Sequence, residues 1–201
     1  MSFTVKGVRF SVSFYFAAVL ALMLSLRASG EVLLALFSSI LHECGHLAAM
    51  IACKNEIKAV RLEITGMNII RNESDFLSFR QEIFIALSGP LTNAGIFLLC
   101  GVLYWILQKN IFLTAACINL LLAVFNLLPV KRLDGGMALY FLLSLRFSQG
   151  FCRAALKISS VTVLAPVYLW GIYVFFAGNK NFTVIIIAVF LTLSMLGGND
   201  Y

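Results

Sequence analysis

Long apolar runs broken by short polar links set the pattern of this chain. Six of them have spanning length: about Phe10–Leu26, Val32–Ala52, Ile83–Leu107, Ile111–Leu128, Ile158–Ala177 and Phe182–Leu196. Stretches of this length in a bilayer must satisfy their backbone internally, so each predicts a helix. Two links, Gln108–Asn110 and Gly178–Asn181, are tight enough for helical hairpins. A shorter apolar stretch, Met137–Leu145, ends in basic residues and predicts a re-entrant or interfacial helix. In Val60-Arg61-Leu62-Glu63-Ile64-Thr65 the period changes to two, Gly66 interrupts, and Met67-Asn68-Ile69 resumes the alternation. That reads as a β-hairpin at the membrane interface, with an edge able to pair with an extended peptide. The fold class expected is therefore an all-α membrane protein, a bundle of about six transmembrane helices with a short interfacial β-hairpin after the second. One domain over residues 1–201 is expected, with no PDZ or CBS domain.

Composition agrees. Of 201 residues, 61% are hydrophobic and 12% charged, too apolar for a soluble domain of this size. The net charge of +6 is a topology signal. Lys6, Arg9, Lys54, Lys58, Arg61, Arg71, Arg80, Lys131, Arg132, Arg146, Arg153 and Lys157 fall on one side, and Arg27, Lys109 and Lys180 on the other. The positive-inside rule places the first side, and both termini, in the cytoplasm. No aromatic-basic stripe or glycine-rich phosphate loop suggests a nucleic-acid or nucleotide partner. Cys44, Cys53, Cys100, Cys117 and Cys152 are scattered and read as packing residues. Arg27 after the first run, without a small-residue cleavage site, speaks against a removable signal peptide.

The chemistry lies in the second run. His42 and His46, the only histidines, are four residues apart with Glu43 between them. On a helix both imidazoles share a face and can bind one metal ion, while Glu43 can reach a water on it. Burying these groups in hydrocarbon costs several kcal/mol, which points to function. His46 lies eight residues before Lys54, which puts the metal roughly 12 Å below the cytoplasmic end. Cys44 should face away from it. A catalytic zinc needs a third protein ligand. Without another histidine it must be a thiolate or one of Glu31, Glu56, Glu63, Glu73, Asp75, Glu82, Asp134 and Asp200. Asp134 differs from the rest in standing at a Gly-Gly turn just past the inner end of the fourth span.

Three motifs carry a resemblance to the site-2 protease family of intramembrane zinc metalloproteases. His42-Glu43-Cys44-Gly45-His46 fits H-E-x-G-H, Gly89-Pro90-Leu91-Thr92-Asn93 resembles G-P-x-x-N, and Asn126–Pro129 running to Leu133–Gly136 fits N-x-x-P…L-D-G. The layout is closest to the branch of stage IV sporulation protein FB, which processes a membrane-associated sigma-factor precursor. The resemblance implies one Zn2+ held by His42, His46 and Asp134, with Glu43 as general base and proton donor to the leaving amine. It implies that Asn93 binds the substrate backbone or the developing oxyanion. The substrate would be an unwound transmembrane or membrane-tethered proprotein, cut near the cytoplasmic face of a bacterial plasma membrane, and a regulatory membrane protein is a further partner it suggests. Arg132 departs from the family's pattern, since proline is frequent there. Two rival readings, a zinc-binding transporter and a catalytically inactive membrane-protein binder, are disfavoured by the lack of further ligands along the spans and by the intact Glu43.

Overall fold

The computed structural model describes residues 2–5, 8–13, 29–54, 57–63, 66–71, 77–177, 184–186, 188–189 and 192. The chain divides into two compact units, Met1–Phe125 and Asn126–Tyr201.

The first unit begins with strands β1 (Ser2–Val5) and β2 (Val8–Val12). Helix α1 (Gly30–Ala52) follows, then β3 (Ile57–Glu63), β4 (Gly66–Arg71), α2 (Phe79–Leu107) and α3 (Asn110–Asn126). The strands form one sheet in the order β1-β2-β3-β4. β1/β2 and β3/β4 are antiparallel, whereas β2 and β3 run parallel, with Phe10 opposite Val60 and Val12 opposite Leu62. The expected hairpin is present as β3–β4. The N-terminal pair was not anticipated, although Ser2–Val5 and Val8–Val12 flank a Lys6-Gly7 dipeptide, the pattern of a two-residue hairpin link. The apolar run expected to start a helix at Phe10 instead opens as strand to Val12. The rest of that predicted span, and much of the sixth, lie outside the described residues.

Among the described residues three helices are long and apolar enough to cross a membrane: α1, α2 and, in the second unit, α5 (Gln149–Phe176). α3 is apolar but shorter, at 17 residues. The chain is an integral membrane protein, and the large apolar side chains exposed on these helices, among them Leu98, Trp105, Leu121 and Leu169, suit a lipid environment. The inward faces are narrow stripes at helical spacing. On α1 the buried residues are Ser38, His42, His46, Ala49 and Met50, and on α2 they are Ile85, Ala86, Gly89, Pro90 and Asn93. Ala49, Met50 and Ile85 form the apolar core between α1 and α2. A Cβ on Gly45 would meet the Thr92 hydroxyl and stand 2.9 Å from the Ser88 carbonyl, so only glycine allows this helix approach. A capping box between Ser78 and Gln81 starts α2.

The second unit contains α4 (Asp134–Ser144) and α5. Its core has two parts. Val130 and Leu164 pack together, and Tyr140, Cys152 and Leu156 form the other cluster. The short helix expected at Met137–Leu145 is α4, which begins three residues earlier, at Asp134 itself. Pro129 disfavours helical backbone at Leu128 and ends α3 before it.

α2 ends at Gln108, held in the left-handed region (φ 52°) with its N–H donating to the Tyr104 carbonyl at 2.8 Å. Left-handed backbone costs a non-glycine residue about 1–2 kcal/mol. Gln108→Gly is therefore expected to stabilise the protein by about 1 kcal/mol, read as a raised thermal midpoint in detergent. An unchanged or lower midpoint would mean that the Gln108 side-chain bond to the Trp105 carbonyl outweighs the backbone relief.

Candidate metal centre

α1 presents His42 and His46 on its buried stripe one turn apart, as their spacing predicts. Their Nε2 atoms lie 3.2 Å apart, with the rings at 80° to one another. Two nitrogens bound tetrahedrally to zinc at 2.0–2.1 Å would stand about 3.3–3.4 Å apart, so the pair fits two corners of such a site.

The orientation of His46 is set from α2. Its Nδ1 lies 2.8 Å from the Ile85 carbonyl oxygen. A carbonyl only accepts, so Nδ1 carries the proton and Nε2 keeps its lone pair for a metal. The Ser88 hydroxyl donates to the same carbonyl at 2.6 Å and lies 3.3 Å from Nδ1. Pro90, one residue past the N–H that would ordinarily engage Ile85, has no N–H of its own for Ala86 and disturbs the ladder at this turn. The proline thus sits one residue past the turn whose Ile85 carbonyl also serves side chains.

Gly89 provides the room. A Cβ there would collide with Nε2 of His46 and stand 2.7 Å from Nε2 of His42. Gly89 faces the two ligand atoms. Neither Ile85 nor Ser88 was singled out from the sequence. A backbone carbonyl leaves no mark in the residue type, and a serine one turn into an apolar helix is common.

The other expected residues sit as follows. Glu43 is half-buried on α1 beside His42, and Cys44 is exposed, turned from the histidines as expected. Asn93, one turn beyond Gly89 on the buried face of α2, has no exposed surface. Neither its Oδ1 nor its Nδ2 has a hydrogen-bond partner among the described residues. Asp134 is the first residue of α4, in the second unit. A polar pair that the sequence reading did not identify lies one turn from His42. Asn119 donates from Nδ2 to the Ser38 hydroxyl at 2.9 Å and to the Ala115 carbonyl at 2.9 Å, joining α3 to α1. Two polar residues within apolar spans were its only signal.

Gly89→Ala tests this geometry. The added methyl would occupy the space at both Nε2 atoms, so zinc affinity should fall at least about tenfold, measured by competition with a chromophoric chelator. Wild-type affinity would show that the imidazoles do not act as a pair.

Comparison with known proteins agrees with the motifs. Peptidase family M50 matches residues 107–166, a range that includes Asn126, Pro129 and Asp134. Stage IV sporulation protein FB of Bacillus subtilis (strain 168) is 26% identical over 158 residues, covering 78% of this chain and 54% of that protein. A protein of Synechocystis described as putative zinc metalloprotease sll0528 is 29% identical over 150 residues, covering 65% of this chain and 39% of that one. The chain thus spans about half or less of the length of these curated relatives. The site-2 protease from Methanocaldococcus jannaschii has the same fold, with a TM-score of 0.63 over 95% of this chain and 92% of that one at 23% identity. Relationship to a zinc metalloprotease family implies zinc as the cofactor, which suits the two converging imidazoles. Its motifs, the match over residues 107–166 and these relatives agree in likening the chain to peptidase family M50, the site-2 proteases.

Proposed function

We propose that this protein is an intramembrane zinc metalloendopeptidase that hydrolyses peptide bonds in transmembrane or membrane-tethered proproteins near the cytoplasmic face. The observation that carries the reading is the pairing of His42 and His46 Nε2 at 3.2 Å on a spanning helix. A structural histidine pair would not need a glycine opposite both nitrogens.

In this reading one ion is held by His42, His46 and Asp134. Asp134 is supported as third ligand by its place in the L-D-G motif and by the rigid turn that carries it. Zinc bound there would supply Lewis acidity to the scissile carbonyl and make water a better nucleophile. Glu43 takes the proton from the attacking water and delivers it to the leaving amine nitrogen, so that one carboxylate serves as base and then acid. Asn93 offers one acceptor and one donor pair with no partner of their own, which suits the N–H and C=O of an unwound substrate backbone. A helical substrate hides its carbonyls, so it must extend before cleavage. Among the described residues β4 ends the sheet, and that edge suits an extended strand.

The charge split supports an orientation with both termini in the cytoplasm and, with the bacterial relatives, a place in a bacterial plasma membrane. One catalytic domain in regulated proteolysis is the role in best accord with these features. The relative named for stage IV of sporulation makes sigma-factor maturation a candidate process.

Co-expression with candidate membrane-tethered proproteins tests the reading. Glu43→Gln should abolish cleavage, at least about a hundredfold, while keeping zinc. Asp134→Asn should weaken both zinc retention and turnover. Equal fragments with wild type and Glu43→Gln would assign the cutting to another enzyme. Topology has a separate test: Asn72→Cys should react with a membrane-impermeant thiol reagent only after the cytoplasmic face is exposed, and labelling of intact cells would reverse the orientation.

A further inference from the structure

The turn before Asp134 is gripped from α5 by two adjacent serines. The Ser160 hydroxyl accepts from the Lys131 N–H at 2.9 Å and donates to the Leu156 carbonyl at 2.7 Å. The Ser159 hydroxyl donates to the Pro129 carbonyl at 2.8 Å and lies 3.0 Å from the Leu156 carbonyl. Val130, between the two gripped residues, is wholly buried, as is Ser160. The turn is tightened from within as well. Val130 N–H donates to Leu128 at 2.8 Å, and Leu133 N–H to Val130 at 3.0 Å. Arg132 lies in the left-handed region at φ 76°, a value proline cannot adopt. A Cβ on Gly135 would strike the Leu127 carbonyl, and one on Gly136 would strike that of Val130. The first turn of α4 therefore rests directly on backbone that the serines hold.

We infer that Ser159 and Ser160 are positioning residues for Asp134: they fix the Pro129–Lys131 backbone on which its helix turn is seated, and so set where the carboxylate stands. The inference rests on the reading of Asp134 as a zinc ligand. Ordinary packing would not require two hydroxyls on consecutive residues to meet one donor and one acceptor of the same loop. With the Ser160 hydroxyl removed, the part-buried Lys131 N–H loses its acceptor, and the turn relaxes to recover one.

The test measures zinc affinity of the full-length protein in detergent, by chelator competition, beside its thermal midpoint. Ser159→Ala, Ser160→Ala and Asp134→Asn are compared with Thr162→Ala. Thr162 makes the same kind of bond to its own helix, to the Ile158 carbonyl at 2.9 Å, but faces outward. Ser159→Ala and Ser160→Ala should each weaken zinc about tenfold, and Thr162→Ala should leave it unchanged. Ser160→Thr, which keeps the hydroxyl, should restore most of the affinity. Wild-type affinity in both serine variants, with zinc lost in Asp134→Asn, would overturn the positioning role and spare Asp134. Wild-type affinity in Asp134→Asn would overturn the ligand assignment and the inference built on it. If Ser160→Ala does not fold, Ser159→Ala decides by the same criterion. Equal loss of zinc in Thr162→Ala would make the effect general destabilisation and overturn the inference.

Discussion

A polar imidazole inside a spanning helix has to give both ring nitrogens something to do. At His46 the Ile85 carbonyl takes one, and much else in the first unit follows from that bond. It demands that α2 pass close to α1, which Gly45 permits against Ser88 and Thr92. It demands a carbonyl that can be shared, at the turn that Pro90 disturbs. It also demands that nothing fill the space where the two Nε2 atoms converge, which Gly89 ensures. The apolar core of Ala49, Met50 and Ile85 is small, so the approach is specified by small residues and one hydrogen bond more than by bulk. This is the packing expected where lipid competes on equal terms with any apolar side chain.

The second unit solves a similar problem by other means. Asp134 opens a short helix whose first turn bears on backbone, and the hydroxyls of α5 satisfy groups that neither helix nor sheet would satisfy. Serine suits both tasks here, because in an apolar helix it can return its proton to the preceding turn and still accept from outside. A protein that breaks regular structure within its apolar core must answer for every freed N–H and C=O.

Much of this was legible in the residues. α1 and α2 follow from uninterrupted apolar runs, β3–β4 from the change to period two, and the shared face of His42 and His46 from a spacing of four. The helix ends were less legible. α5 begins nine residues before the expected Ile158, because its first turns carry Arg153 and Lys157 and read as loop by hydropathy. β1 and β2 were hidden because Phe10–Val12 merges into the apolar run that follows. The Ile85 carbonyl and the serine grip depend on which backbone atoms tertiary packing brings together, and residue type does not encode that.

The parallel pairing of β2 with β3 also constrains how the protein is made. An antiparallel hairpin closes as soon as its second strand leaves the ribosome, so β1–β2 can form at once. β2 cannot meet β3 until all the chain from Val12 to Leu62, α1 included, has been synthesised and brought back. At about 5–20 residues per second that interval is roughly 3–10 s. Through it the N-terminal hairpin waits with an open edge, exposed to any other extended chain at the membrane surface. The order of synthesis and insertion, and not sheet stability alone, therefore decides which strand completes the sheet.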